Sequence, residues 1–184
     1  MKTDRIKKIS LCCLLGVFAE VFTSCTLSFI LTAIPGAATQ YVSEMSSLFE
    51  DNLVLILRVA LLMPIVEELI FRLFLFGALK RIMPVIAANL IQAMMFGIYH
   101  GKLVQGIYAF LLGLFLGLLK DKTRTIFATI GFHCLFNITG LLLEEYMPVD
   151  IPVAIRTGIM LAALAICVFL YFGMVSDRVK AQTS

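Results

Sequence analysis

Of the 184 residues, 61% are hydrophobic and the mean hydropathy is +1.01, far more apolar material than a water-soluble domain of this size can hide, so lipid is the solvent the chain is built for. The long apolar runs lack the period-two alternation of an outer-membrane barrel strand. In lipid every backbone N–H and C=O must be satisfied internally, so helices remain. The net charge of +3, from 15 Lys+Arg against 12 Asp+Glu, is modest, and no basic stripe with interleaved aromatics is present, which excludes nucleic acid as a partner.

The first apolar run extends from about Ile9 to Ile34, behind Lys2, Arg5, Lys7 and Lys8. Its length is nearer the ~20 residues of a spanning helix than the ~7–15 of a signal-peptide core, so a retained span is expected. Pro35-Gly36 ends it, and the stretch to Asn52, with Glu44, Glu50 and Asp51, reads as a loop with a surface helix. Further runs cover Leu53–Leu79, Pro84–Tyr99, Leu103–Leu119, Thr125–Leu143 and Ile151–Val175. The expectation is an all-α, polytopic transmembrane bundle of six spans forming a single integral membrane domain, residues 1–184. If Pro64 splits the second run, the count becomes seven.

The breaks alternate in charge: a basic N-terminus, the acidic 44–51 loop, Lys80-Arg81, a weak His100-Gly101-Lys102 turn, Lys120 to Arg124, acidic Glu144-Glu145 with Asp150, then Arg178 and Lys180. Positive-inside counting places both termini in the cytoplasm. The five cysteines, Cys12, Cys13, Cys25, Cys134 and Cys167, lie inside apolar runs without metal-ligand spacing and read as small packing residues.

The second run holds Val66-Glu67-Glu68-Leu69-Ile70-Phe71-Arg72, with Arg58 further upstream. On an insertion scale these four charges oppose insertion by roughly 12 kcal/mol, against about 8 kcal/mol favourable from the Leu, Ile, Val and Phe of the run. They must therefore face protein, water or one another. Glu68 and Arg72 stand i,i+4 with the acid first, the favourable order for an intrahelical ion pair. In an α-helix Glu67 is rotated about 100° from Glu68 and its i+4 neighbour is Phe71, so a partner from another element is expected for it.

The chain's two histidines sit in Phe96-Gly97-Ile98-Tyr99-His100 and His133-Cys134-Leu135-Phe136-Asn137, the latter placing His133 and Asn137 on one helical face. A carboxylate, two imidazoles and a carboxamide have the chemistry of hydrolysis. Glu or His can take a proton from water, and imidazole or amide N–H can hold a tetrahedral oxyanion. Glu67, His100 and His133 could equally hold a divalent metal such as zinc with an open position. Buried ionisable residues also serve as structural glue or as a transport relay, which leaves a scaffold or a proton-coupled carrier as alternatives. Asn89, Gln92 and Phe96 lead by helical steps to His100 and read mainly as interhelical hydrogen bonding. Gly113-x-x-x-Gly117, with Gly106 before it, reads as close helix packing.

Glu67-Glu68-x-x-x-Arg72, then Phe96-x-x-x-His100, then His133-x-x-x-Asn137 resemble the three ordered motifs of the CPBP or Abi family, which includes type II CAAX prenyl endopeptidases and bacterial proteins tied to bacteriocin processing or self-immunity. The motif core covers about residues 64–140. The resemblance implies an intramembrane endopeptidase of a bacterial plasma membrane, acting on a peptide or lipid-modified protein. It implies that Glu67 and His100 activate water, that His133 and Asn137 bind the oxyanion, and that Glu68 with Arg72 plays a supporting part. It leaves glutamate-type and metal-dependent hydrolysis both open. No His-Glu-x-x-His is present, so a zincin-type helix is absent. In the six-span arrangement His100 and His133 start from opposite sides of the membrane, and tilted or broken helices are needed to bring them to one depth.

Overall fold

The computed structural model describes residues 2–36, 38–39, 41, 53–146 and 151–182. It contains helices α1 (Lys2–Ala33), α2 (residues 53–79), α3 (Val85–Tyr99), α4 (Leu103–Thr123), α5 (Ile126–Tyr146) and α6 (Val153–Gln182), one for each apolar run of the sequence, with no strand among the described residues. The acidic 44–51 loop lies outside the described residues, as does Asp150. Among the described residues, four stretches, Arg5–Ala33, Leu103–Thr123, Ile126–Leu143 and Val153–Gly173, are long and apolar enough to cross a membrane. Helix α3, at 15 residues, rises only ~22 Å, less than the ~30 Å hydrocarbon core. Phe74, Ile86, Leu103 and Phe169 are all more than two-thirds exposed, which is an arrangement for lipid and not for water. The chain is an integral membrane protein of helical-bundle type.

Helix α2 is where the sequence and the backbone part company. It runs through Pro64 without a break, so one helix stands where two were the alternative. Its register changes along its length: α over Leu53–Leu57, π over Arg58–Leu62, α over Met63–Glu67, π over Glu68–Leu75, and α over Phe76–Leu79. A proline ring clashes with the carbonyl four residues back in an α-helix. A π turn, in which N–H groups reach five residues back, opens the spiral just ahead of Pro64 and lets it stay in line.

The chain divides into two compact units, Met1–Leu61 with Gly131–Ser184, and Leu62–Ile130. In the first, α1 and α6 run antiparallel. Arg156 on α6 donates from Nη1 to Ser28 Oγ (2.7 Å) and from Nη2 to the Ile151 carbonyl (3.2 Å), while Thr26 Oγ1 lies 3.6 Å from Met160 Sδ. Helices α1 and α5 touch through glycine. A methyl group on Gly16 would overlap the Phe132 carbonyl oxygen, and one on Gly131 would come within 2.6 Å of Cys13 Sγ.

In the second unit α3 and α4 form a hairpin about the His100–Lys102 turn, where Gly101 takes φ +71°, a left-handed conformation suited to glycine. Asn89 Nδ2 donates to the Leu114 carbonyl (2.9 Å), and Gln92 Nε2 to the Gly113 carbonyl and to Asn89 Oδ1 (both 2.8 Å). The polar stripe thus binds the hairpin together, and Gly113 and Gly117 give it room: a methyl on Gly117 would collide with Asn89 Oδ1.

The glycine contacts predict a contrast. Gly16→Ala must push α1 away from a backbone carbonyl that has no cheap way to yield, whereas a Cβ at Gly77 meets nothing within 4 Å. Thermal unfolding of detergent-purified protein should show a clear fall in Tm for Gly16→Ala and no fall for Gly77→Ala. Equal effects would contradict this packing.

Candidate active site

Glu67, Glu68, Arg72 and His100 lie in the second unit, His133 and Asn137 in the first. In a segment whose neighbours are apolar, Glu67 is 7% exposed, Glu68 0% and Arg72 1%. The i,i+4 pair forms: Arg72 Nη1 is 3.1 Å from Glu68 Oε1, with both side chains fully buried. Arg58, the fourth charge of the run, is exposed instead.

The π turn alters the reading of Glu67. Along Glu68–Leu75 the helical bonds reach five residues back, as where Phe76 N–H meets the Phe71 carbonyl. A position five residues on, far round an ordinary α-helix, is thereby swung back toward the same face. Glu68 is the acid paired with Arg72, and the π turn turns Glu67, five residues before Arg72, closer to that same face than an α-helix would.

Phe96 links this charge cluster to the histidine. Its ring, itself fully buried, lies 4.1 Å beneath the Arg72 guanidinium carbon, and His100 stands edge-on to it at 4.7 Å. A desolvated cation over a ring face is worth ~2 kcal/mol, enough to orient the guanidinium as well as hold it. Phe71 packs on both Phe96 (5.1 Å) and Tyr99 (5.6 Å), and Tyr99 in turn on His100 (5.7 Å). Because α2 and α3 are joined by the short 80–84 turn and run antiparallel, each step back along α2 matches a step forward along α3. With Phe71 against Phe96 and Tyr99, the Glu67 side of α2 lies toward the His100 end of α3.

His100 is half-buried, and its Nδ1 is 2.8 Å from the Phe96 carbonyl oxygen. A carbonyl can only accept, so Nδ1 carries a proton in this bond. The helix's own backbone thus orients the imidazole. A buried carboxylate and an oriented imidazole have the chemistry to take a proton from water and pass it on.

In the first unit His133 is buried on α5. Asn137 on the same face donates from Nδ2 to the Val59 carbonyl (3.1 Å), and Cys134 Sγ approaches the Leu61 carbonyl at 3.9 Å. All five cysteines are free, with Cys12, Cys25 and Cys134 buried, as packing residues should be. A further buried acid, Glu20, lies inside the first apolar run. It is 9% exposed, accepts from Ser24 Oγ (2.8 Å), and would be met at 2.9 Å by a methyl on Gly140 of α5. A lone Glu with Ser four residues on, in an otherwise apolar span, was the available signal. Within neither unit do the described residues gather three His, Cys, Asp or Glu side chains into a metal-holding group.

Comparison with known proteins agrees with the motifs. Residues 49–139, about half of the chain, match the family described as type II CAAX prenyl endopeptidase Rce1-like. The chain is 34% identical over 86 residues to the Bacillus subtilis (strain 168) protein named "Putative membrane peptidase YdiL", covering 47% of this chain and 35% of that protein. The chain thus spans about a third of that relative's length. No solved structure matches. The resemblance read from the three motifs is borne out, and the chain is related to membrane proteases.

Removing one charge of the buried pair leaves the other uncompensated, at about 3–5 kcal/mol, while replacing both with apolar residues is often neutral. Arg72→Leu should therefore accumulate poorly in the membrane, and Glu68→Leu combined with Arg72→Leu should accumulate better than Arg72→Leu alone. Quantitative immunoblotting of membranes checks this. Normal abundance of the single variant would contradict the pair.

Proposed function

Taking residues 49–139 as an Rce1-like type II CAAX prenyl endopeptidase domain, we propose that this protein is an intramembrane endopeptidase that hydrolyses a peptide bond in a membrane-associated peptide or lipid-modified protein. This reading is supported by the burial of Glu67 in an apolar helix and by His100 on the neighbouring helix, whose Nδ1 is held by the Phe96 carbonyl. Glu67 with His100 takes a proton from water. The resulting hydroxide adds to the scissile carbonyl, and the proton is returned to the leaving amine. The oxyanion donor is assigned to His133 by the family resemblance. Among apolar side chains, where charges are poorly screened, such a donor is worth far more than in water.

Glu68 and Arg72 do no chemistry in this scheme. They hold Phe96, and through it the imidazole, in one orientation. The membrane setting is proposed to be a bacterial plasma membrane with both termini cytoplasmic. Lys80 and Asp121 pair at 2.7 Å where the ends of α2 and α4 meet, and Arg81, Lys120, Lys122 and Arg124 are their neighbours in sequence, the basic end that positive-inside counting assigns to the cytoplasm. The alternative in which Glu67, His100 and His133 hold a divalent ion such as zinc rests on the same residues and is separated by experiment.

Purified protein should cleave members of a panel of farnesylated and unmodified peptides, and Glu67→Gln should slow cleavage by roughly 10²–10⁴-fold, the usual contribution of a general base, while accumulating normally. Cleavage should persist in a strong chelator. Loss on chelation with recovery on adding zinc would recast Glu67 and His100 as ligands. No cleavage across the panel, with Glu67→Gln still supporting the cellular phenotype, would identify a non-catalytic scaffold.

A further inference from the structure

The resemblance gives Asn137 an oxyanion role, and one of its two amide N–H groups is committed to the backbone of α2. Asn137 Nδ2 donates to the backbone carbonyl of Val59 at 3.1 Å, and Val59 lies inside the π-helical stretch Arg58–Leu62 of α2. A backbone carbonyl within a helix ordinarily receives the helix's own N–H. In the π register the donor for Val59 is five residues on, at position 64. Position 64 is proline, which has no N–H. The same π turn draws the N–H of Met63, which would serve Val59 in an α-helix, to the carbonyl of Arg58. Val59 is thus a carbonyl that the turn and the proline together deprive of its helical donor in either register.

In hydrocarbon an unsatisfied carbonyl is too costly to leave, and helices that carry proline in membranes are completed by groups from neighbouring helices. The α5 face does this here. Asn137 supplies an N–H to Val59, and Cys134, one turn earlier on the same face, sets its thiol 3.9 Å from the Leu61 carbonyl. We propose that Asn137 is a positioning residue whose side-chain amide replaces the N–H that Pro64 lacks, holding open the π turn that precedes the Glu67-Glu68 segment. A carboxamide has two N–H groups and this bond uses one, so Asn137 is fitted to its place by the carbonyl it completes. The Met63-Pro64 step and Asn137 are on this account two halves of one device, and neither is needed without the other.

The device makes a coupling prediction that an oxyanion role does not. In Pro64→Ala the backbone regains the missing N–H, and Val59 is satisfied within its own helix in either register. Asn137→Ala alone should lower Tm in detergent by roughly 2–4 °C for each lost kcal/mol, or reduce membrane accumulation, whereas in the Pro64→Ala background the same substitution should cost less than half as much. If Asn137→Ala fails to accumulate at all, recovery of accumulation in the double variant is the expected result. Equal cost in both backgrounds, or no cost in either, would overturn the proposal.

The stability comparison stands without the peptidase reading. A second comparison rests on it. Asn137→Ala should lose cleavage of the active peptide, and Pro64→Ala with Asn137→Ala should regain a large part of it. If the double variant is as stable as Pro64→Ala but remains without cleavage, Asn137 donates to the oxyanion and the positioning role is wrong. If wild type cleaves nothing while the stability coupling holds, the peptidase reading fails and the Pro64–Asn137 pairing survives.

Discussion

The structure of the second unit depends on one arrangement: a fully buried Glu68–Arg72 ion pair capped by the ring of Phe96. Two charges in a hydrocarbon setting need each other, and the guanidinium needs a further surface for its flat face. Phe96 provides it, and in doing so ties α2 to α3. Its carbonyl then takes the Nδ1 proton of His100, so one residue handles the cation with its ring and the imidazole with its backbone. The candidate chemistry inherits its geometry from this support.

The π-helical segments matter for the same reason. In an α-helix, residues five apart such as Glu67 and Arg72 point well away from each other. Widening the spiral over Glu68–Leu75 turns them toward one face, and widening it over Arg58–Leu62 admits Pro64. Each deviation leaves backbone groups to be completed from outside the helix, and the Asn137 amide on Val59 is the visible instance. The irregular backbone and its polar completion thus lie in the same helix as the candidate residues Glu67 and Glu68.

Much of this was legible in the sequence because the relevant physics is local. Charge inside an apolar run demands a partner, and i,i+4 spacing names it, as Glu68 and Arg72 confirm. The polar steps from Asn89 to Gln92 do bind α3 to α4 as spacing suggested. Register was not legible. Hydropathy cannot tell an α turn from a π turn in a mostly apolar helix, so the way Glu67 faces could not be read from spacing. Pro64 marked the irregular place without saying whether the helix would break or widen. Glu20 went unread because a single acid offers no periodicity, and its surroundings, Ser24 and the bare backbone at Gly140, come together only by packing.

The central claim is that α2 and α3 pair so that the Glu67 side of α2 lies toward the His100 end of α3. Cross-linking tests it most directly. In a variant with all five native cysteines replaced, cysteines introduced by Glu67→Cys and His100→Cys should be joined within one chain by a short bifunctional thiol reagent in intact membranes, as should the control pair Phe71→Cys with Phe96→Cys. Joining of the control pair without the Glu67 and His100 positions would contradict the register and remove the geometric basis for shared water activation.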